Sequence, residues 1–380
     1  MKSALLGAVL CLAWASASAT TYSEFNAGIV AYAHQDWDSA IAHFNTALAA
    51  PDIPSAFRTT AYFDRALSRV EKKQWDAAIA DLGEALKNDP DYLEAYETRA
   101  GVYLQTKQLA LAGADLSAII ARRPALAEAY KQRAGVYSLQ KNYDAAIADL
   151  NVVVQYDPNS ADNYTFRGAI FREKGDLDRA MEDYDHAIHL QKNNLDATIQ
   201  RGLIFEDKGD YRRAVRDFDD AVDISANNTD AHLHLALALW EEGKFDEALK
   251  AFAATRDLSK GDLVTYAVLW IVIATAKNGG SGDSEFKSFA AQYKGTDWPR
   301  PIVDLYGGSG TIETLFKAAS DGDPDLQKNK TCEANFYGGL WQEMHGLPGE
   351  AKRTLAAAVA DCPLGFIERG AAAAELSRLH

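Results

Sequence analysis

Residues able to do chemistry are few and scattered along these 380 residues. There is no H-E-x-x-H, no C-x-x-C and no glycine-rich loop of the kind that cradles phosphate. Gly280-Ser281-Gly282 and Gly308-Ser309-Gly310 lack the G-x-S-x-G pattern of a nucleophile elbow, and neither follows a strand-like segment, so both read as loops. The eight histidines form no ligand set; His186 with His189, and His232 with His234, read as surface residues. The expectation is a protein that is not an enzyme and takes no cofactor or metal. What does recur is a set of carboxylates punctuated by aromatic rings: Asp64, Glu97, Glu173, Glu206, Asp207 and Glu241 with Phe63, Phe166 and Trp240, joined by the bases Lys131 and Arg172. Acids beside flat apolar rings suit recognition, with the rings as anchors and the acids attracting a basic or neutral segment.

The helices that would carry these residues announce themselves by period. Alanine stands at 78, 112, 146, 180, 214 and 248, a spacing of 34 residues. Twelve places before each Ala is a small residue (Ala66, Ala100, Ala134, Gly168, Gly202, Ala236), and four places after it a large apolar one (Leu82, Leu116, Leu150, Tyr184, Phe218, Phe252). Two helices approach closely at such a seam, and bulk is excluded there.

These residues, with Pro90, Pro124 and Pro158 near the repeat ends, resemble the tetratricopeptide repeat. Repeats are expected at 59-92, 93-126, 127-160, 161-194, 195-228 and 229-262. An earlier copy at 21-54 (Gly28, Ala40, Phe44, Ala47) is set off by Pro51-Asp52-Ile53-Pro54, and a last copy at 332-365 carries Gly339, Ala351, Leu355, Ala358 and Pro363. The resemblance implies an all-α solenoid of stacked antiparallel helix hairpins. It also implies that positions 2, 5, 6, 9, 12 and 13 of each first helix line a concave groove. Across 59-262 those positions hold Asp64, Glu71, Glu94, Glu97, Glu128, Asp162, Glu173, Asp196, Glu206, Asp207, Asp230 and Glu241 against two bases. The acids at position 2 complement the helix dipole; the others leave the groove acidic.

One chain with many repeats also shows positions changing together. Position 7 is Arg65, Arg99, Arg133, Arg167 and Arg201, and position 23 of the same five repeats is Asp81, Asp115, Asp149, Asp183 and Asp217. The other three repeats lack both, having Ala27 with His43, Leu235 with Ala251, and Gly338 with Thr354. Both positions lie about eight residues from the turn, so at ~1.5 Å per residue they share one level of the hairpin. An Arg-to-Asp bridge within each of these repeats is expected, the planar guanidinium bonding both carboxylate oxygens. The rival reading is a cationic ladder gripping anionic ligands.

At the amino terminus, Lys2, an apolar run from Ala4 to Ala15 and Ala17-Ser18-Ala19 read as a secretory leader over 1-19, too short to span a bilayer. Lipid attachment at Cys11 is the alternative, though Leu10 directly before it fits such a site poorly. A periplasmic or secreted mature protein is expected. The chain has 39 basic and 54 acidic residues, a formal charge of -15, which excludes nucleic acid and anionic membrane as natural partners. Cys332 and Cys362 remain after export, at positions 1 and 31 of the last repeat, where the two ends of an antiparallel hairpin are neighbours. An oxidising compartment and an even count argue for a disulfide; thiol metal binding is the alternative, without further ligands nearby.

Beyond residue 262 the phase is lost. Leu263 to Ala276 has no charge on any face, so as a helix it is covered all round. It reads as the first helix of a degenerate repeat with Ser284 to Tyr293 as partner, or else as a lipid-facing anchor. Lys277 to Gly282 reads as a loop, and 263-331 as a whole as a degenerate repeat followed by an irregular helical segment, before a final hairpin and capping helix over 332-380. Trp298-Pro299-Arg300-Pro301 to Tyr306, Cys332 to Gly338, Phe366-Ile367-Glu368 and Ala374-Glu375-Leu376 resemble the carboxyl-terminal region of exported bacterial repeat proteins of the NlpI type. That resemblance implies a helical scaffold that docks envelope proteases or peptidoglycan hydrolases, and the option of a homodimer. A glycan-handling accessory module of a cell-wall or exopolysaccharide system is the alternative reading.

Overall fold

The repeat begins and ends on backbone geometry. At position 15 the chain turns left-handed, with φ 62° at Gln35, 56° at Lys73, 58° at Lys107 and Lys141, 86° at Gly175, 71° at Gly209, 82° at Gly243 and 75° at Gly346. Glycine takes that conformation freely, whereas a lysine there costs about 1–2 kcal/mol. The following helix often starts on a side-chain cap: Asn142, Asp210 and, at the next repeat boundary, Asn194 and Asn228 each accept from the backbone N–H three residues on.

The computed structural model of the protein describes residues 19–51, 53–281, 283–363 and 366–379. All but the last residue of the expected leader, Cys11 included, lies outside the described residues. Among the described residues there are 21 helices and no strand. The fold is an all-α helical repeat. The chain divides after Ala180 into two units.

The first unit contains α1 (Ala19–Ala33), α2 (Trp37–Ala49), α3 (Ser55–Glu71), α4 (Trp75–Asn88), α5 (Leu93–Gln105), α6 (Leu109–Arg122), α7 (Ala127–Leu139), α8 (Tyr143–Tyr156) and α9 (Ala161–Lys174). Each packs against the next, so hairpin follows hairpin. The small residues of the frame are required where rings fill the seam: a Cβ on Gly28 would lie 2.7 Å from the Phe44 ring. Phe25 joins Phe44 and Phe57 with ring centroids 6.1 and 5.1 Å away. α10 (Leu177–Leu190) runs through the dividing point of the sequence.

The second unit contains α11 (Leu195–Asp207), α12 (Tyr211–Ile224), α13 (Thr229–Glu242), α14 (Phe245–Leu258), α15 (Asp262–Lys277), α16 (Asp283–Gln292), α17 (Arg300–Gly307), α18 (Ile312–Ser320), α19 (Pro324–Met344), α20 (Pro348–Asp361) and α21 (Ile367–Arg378). Here a Cβ on Gly202 or Gly339 would come within 2.7 Å of Phe218 or Leu355. The uncharged stretch of α15 is the centre of this unit, with Ala267 through Ala274 all buried. Its Trp270 stacks on Phe252 at 5.0 Å and meets Trp240 and Phe336 at 5.2 Å each. Among the described residues no helix is long and apolar enough to cross a membrane. Cys332 opens the third turn of α19 and is bonded to Cys362 just past α20, with Cα atoms 4.7 Å apart.

Candidate functional site

In the first unit, the groove positions of α3, α5, α7 and α9 differ sharply in exposure. Glu97 and Glu173 are exposed, Phe63, Lys131, Phe166 and Arg172 half-buried, and Asp64 buried. Ser138 donates to Glu173 at 2.9 Å, tying α7 to α9. Phe63 leans on Tyr92 with ring centroids 4.8 Å apart. Position 9 is Gly101 in α5 and Gly135 in α7, and a Cβ built on either meets nothing within 4 Å. Nothing in the chain's own interior asks for glycine at these two places. Exposed beside them is Leu139, at 64 % of its full area.

The second unit treats the same positions differently. Glu206 is half-buried with His234 Nδ1 3.7 Å from its Oε2, and Asp207 is exposed. Trp240, expected as a groove anchor, is instead fully buried: α15 and α14 close over it, placing Trp270 and Phe245 edge-on at 5.2 and 4.7 Å. It offers no face to a partner, because the helix that follows the last regular repeat covers it. Glu241 is covered as well. α21 packs on α13, Arg378 donates to the carbonyls of Trp240 and Glu241 at 2.7 Å each, and a Cβ on Gly370 would lie 2.6 Å from Glu241 Oε1. Burial, with Glu206 nearby as a second cause, pushes the Glu241 carboxyl up to about 8 despite Arg378. α21 is held by a half-buried network around the buried Glu375, in which Lys277 bonds both Glu343 and Glu375, and Arg378 reaches Glu375 at 3.1 Å. The sequence signal for this docking is Gly370 with Ala374, small residues one turn apart that allow close helix approach.

Two profiles of the tetratricopeptide repeat match the chain, one at residues 63–127 and 199–262, the other at 161–194. Over residues 63–127, 161–194 and 199–262 the chain is built of tetratricopeptide repeats. Among solved structures, MamA is similar at 25 % identity over 42 % of this chain and 94 % of its own, with a TM-score of 0.40. A tetratricopeptide repeat protein from Parabacteroides merdae shares 14 % identity over 67 % of this chain and 99 % of its own, at 0.47. YrrB, described as a TPR protein with an unusual peptide-binding site, shares 17 % over 49 % and 96 %, at 0.40. No curated protein sequence matches.

Between the helices of these tetratricopeptide repeats runs the arginine ladder. Arg99 donates from Nε and Nη2 to the two oxygens of Asp115 at 2.8 and 2.7 Å, Arg133 to Asp149 at 2.8 and 2.7 Å, Arg201 to Asp217 at 2.9 and 2.7 Å, and Arg65 to Asp81 at 2.8 and 2.5 Å. Arg69 joins Asp81 at 2.6 Å. For Arg99, Arg133 and Arg201 the carboxylate bond is the leading cause that pushes the guanidinium further up. Arg167 belongs to the first unit and Asp183, buried, to the second, and each is described with its own unit.

The ladder has rungs that pattern reading missed. A further arm of four of the guanidiniums reaches position 25 of the preceding repeat: Arg65 to Asn45 at 2.6 Å, Arg133 to Ser117 at 2.9 Å, Arg167 to Asn151 at 2.9 Å and Arg201 to Asp185 at 2.7 Å. At Arg99 the matching residue is Gly83, whose missing Cβ would sit 3.8 Å from Nη1. Rings of the same helix flank the cation, with Tyr130 and Tyr137 5.7 and 5.6 Å from Arg133, and Tyr96 and Tyr103 5.7 and 5.9 Å from Arg99. Arg65, Arg99, Arg133 and Arg201 are therefore internal staples, their charge spent on aspartate.

Proposed function

We propose that the protein is a non-catalytic interaction scaffold of the bacterial cell envelope that holds a basic or neutral segment of a partner protein against the acidic first-helix face of its repeats. The observation that carries this reading is the pair Gly101 and Gly135. A glycine inside a helix costs about 0.5–1 kcal/mol relative to alanine, and at these two positions the chain itself gains no room or contact in return. A bare helix surface flanked by Glu97, Lys131, Leu104 and Leu139 suits close approach by another backbone. The leader at 1-19 and the carboxyl-terminal resemblance support export to the envelope, with a protease or peptidoglycan hydrolase as the class of client.

Site-specific photo-crosslinking from residue 135 in intact cells identifies the client. Its affinity for the purified chain is then expected to fall at least tenfold between about 0.05 and 0.5 M salt, and further on Glu97→Lys. A client whose binding ignores both salt and Glu97 contradicts the acidic-face reading.

A further inference from the structure

Asp64 differs from every other acid of the described first-unit hairpins. It is 5 % exposed, yet among the described residues its carboxylate has no hydrogen-bond partner, whereas Asp81, Asp115 and Asp149, equally buried, each hold an arginine. Position 6 does not demand an acid: the other repeats place Asn26, Thr98, Gln132, Phe166, Gln200, His234 and Tyr337 there. Burying a carboxylate without compensation is costly, so the position opposes stability and the frame gives no reason for it. Half-buried rings lie within reach of its field. Phe63 and Tyr92 lie 4.8 Å apart, and Tyr32, 5.2 Å from Trp37, feels the carboxylate's field, as Tyr92 does.

We propose that Asp64 and the rings of Tyr32, Phe63 and Tyr92 form a receptor for one cationic side chain, lysine or arginine, of the segment that the acidic face holds. The proposal rests on that reading of the face and adds a chemical address to it. Ring faces attract a desolvated cation, and a carboxylate in a poorly hydrated site bonds it far more strongly than one in water. Glu71, two turns further along α3 and exposed, adds its negative field at Tyr32.

The site penalises ionisation: burial alone pushes Asp64 up to about 7, and among the described residues no charge on the surrounding helices moves it. Among the described residues, the titratable groups that its charge reaches are Tyr32 of α1 and Tyr92 beyond α4; burial first and Asp64 second push both hydroxyls up, so they stay neutral through pH 8. A docked cation favours the carboxylate and expels its proton. Affinity therefore rises with pH across the carboxyl's own titration.

The test uses the full chain and side-chain mimics in place of a client: n-butylammonium, ethylguanidinium and, as the uncharged control, n-butanol, followed by the methyl NMR signals of Leu67, one turn from Asp64. The cations are expected to shift these signals saturably, with affinity about tenfold higher at pH 8 than at pH 6, and n-butanol to leave them unmoved. Asp64→Asn is expected to abolish the response while melting at the same temperature as the parent or above it at pH 8, because a buried ionising group has been removed. An equal response to n-butanol, an unchanged response in Asp64→Asn, or a lower melting temperature for that variant with the cation response retained would overturn the proposal. No client is needed, so this site can fail while the face still binds, and the face can fail while this site still takes a cation.

Discussion

Asp149→Ala will cost about 3–5 kcal/mol, the penalty for leaving Arg133 half-buried without its counter-ion. The carboxylate is 5 % exposed and receives two bonds of 2.8 and 2.7 Å from a guanidinium held between Tyr130 and Tyr137. Arg133→Met with Asp149→Ala will cost less than the sum of the two single changes, with a coupling of at least about 1.5 kcal/mol, because the double variant strands no charge. Urea unfolding supplies the free energies. Amide exchange in α7 and α8 locates them, since a repeat array need not unfold as one block. A coupling near zero would mean that the bonds are decoration on a seam made by Ala134, Ala146 and Leu150 alone.

Removing the disulfide comes next in size. Cys332 and Cys362 are 30 residues apart in sequence, and closing a loop of that length lowers denatured-state entropy by the equivalent of about 3–4 kcal/mol on the chain-entropy account. Cys332→Ser with Cys362→Ser is expected to lower the melting temperature of the second unit by roughly 6–16 °C, at ~2–4 °C per kcal/mol for a unit of this size. Tyr and Trp signals of the first unit should be unmoved. Both sulfurs are buried, so a reductant reaches them only when α19 and α20 open, and the rate of reduction reports that opening. Equal stability with and without the bond would show that the α19–α20 seam, with Gly339 against Leu355, already restrains the chain as much.

Periodicity carried the fold because every repeat solves the same steric problem. Ala78, Leu82 and their counterparts recur since two helices meet at one distance, and the Arg and Asp of a hairpin co-vary since they meet at one level. The cysteines could be paired for the same reason. What pattern reading could not reach lies where the chain touches itself across long separations. Trp240 occupies a groove position by count and a core position in space, because Trp270, outside the regular repeats, lands on it. Arg378 meets the end of α13 more than a hundred residues back, and no local period encodes that contact. Position 25 was legible in principle, since Asn45, Ser117, Asn151 and Asp185 are all polar acceptors, but a mixed set with Gly83 in the series hides the common role until the guanidinium's third arm is seen.

The candidate face divides along the same line. Its first-unit residues, Phe63, Glu97, Lys131, Phe166 and Glu173, remain accessible in whole or part. In the second unit, Glu241 is claimed by α21 and Trp240 by α15, so fewer groove positions of that unit stay open to a partner than counting repeats suggests.

The bare helix surface at Gly101 and Gly135 is the centre of the account, and filling it is the most direct test. Gly101→Trp and Gly135→Trp place a ring where a Cβ meets only open space, so the unfolding free energy should stay within about 1 kcal/mol of the parent, as for ordinary surface changes. Binding of the client captured from residue 135 should fall at least a hundredfold in the double variant, while Leu111→Trp, on an exposed second helix, leaves it unchanged. Undiminished binding by a folded Gly101→Trp, Gly135→Trp chain would contradict the claim that a partner lies on this face.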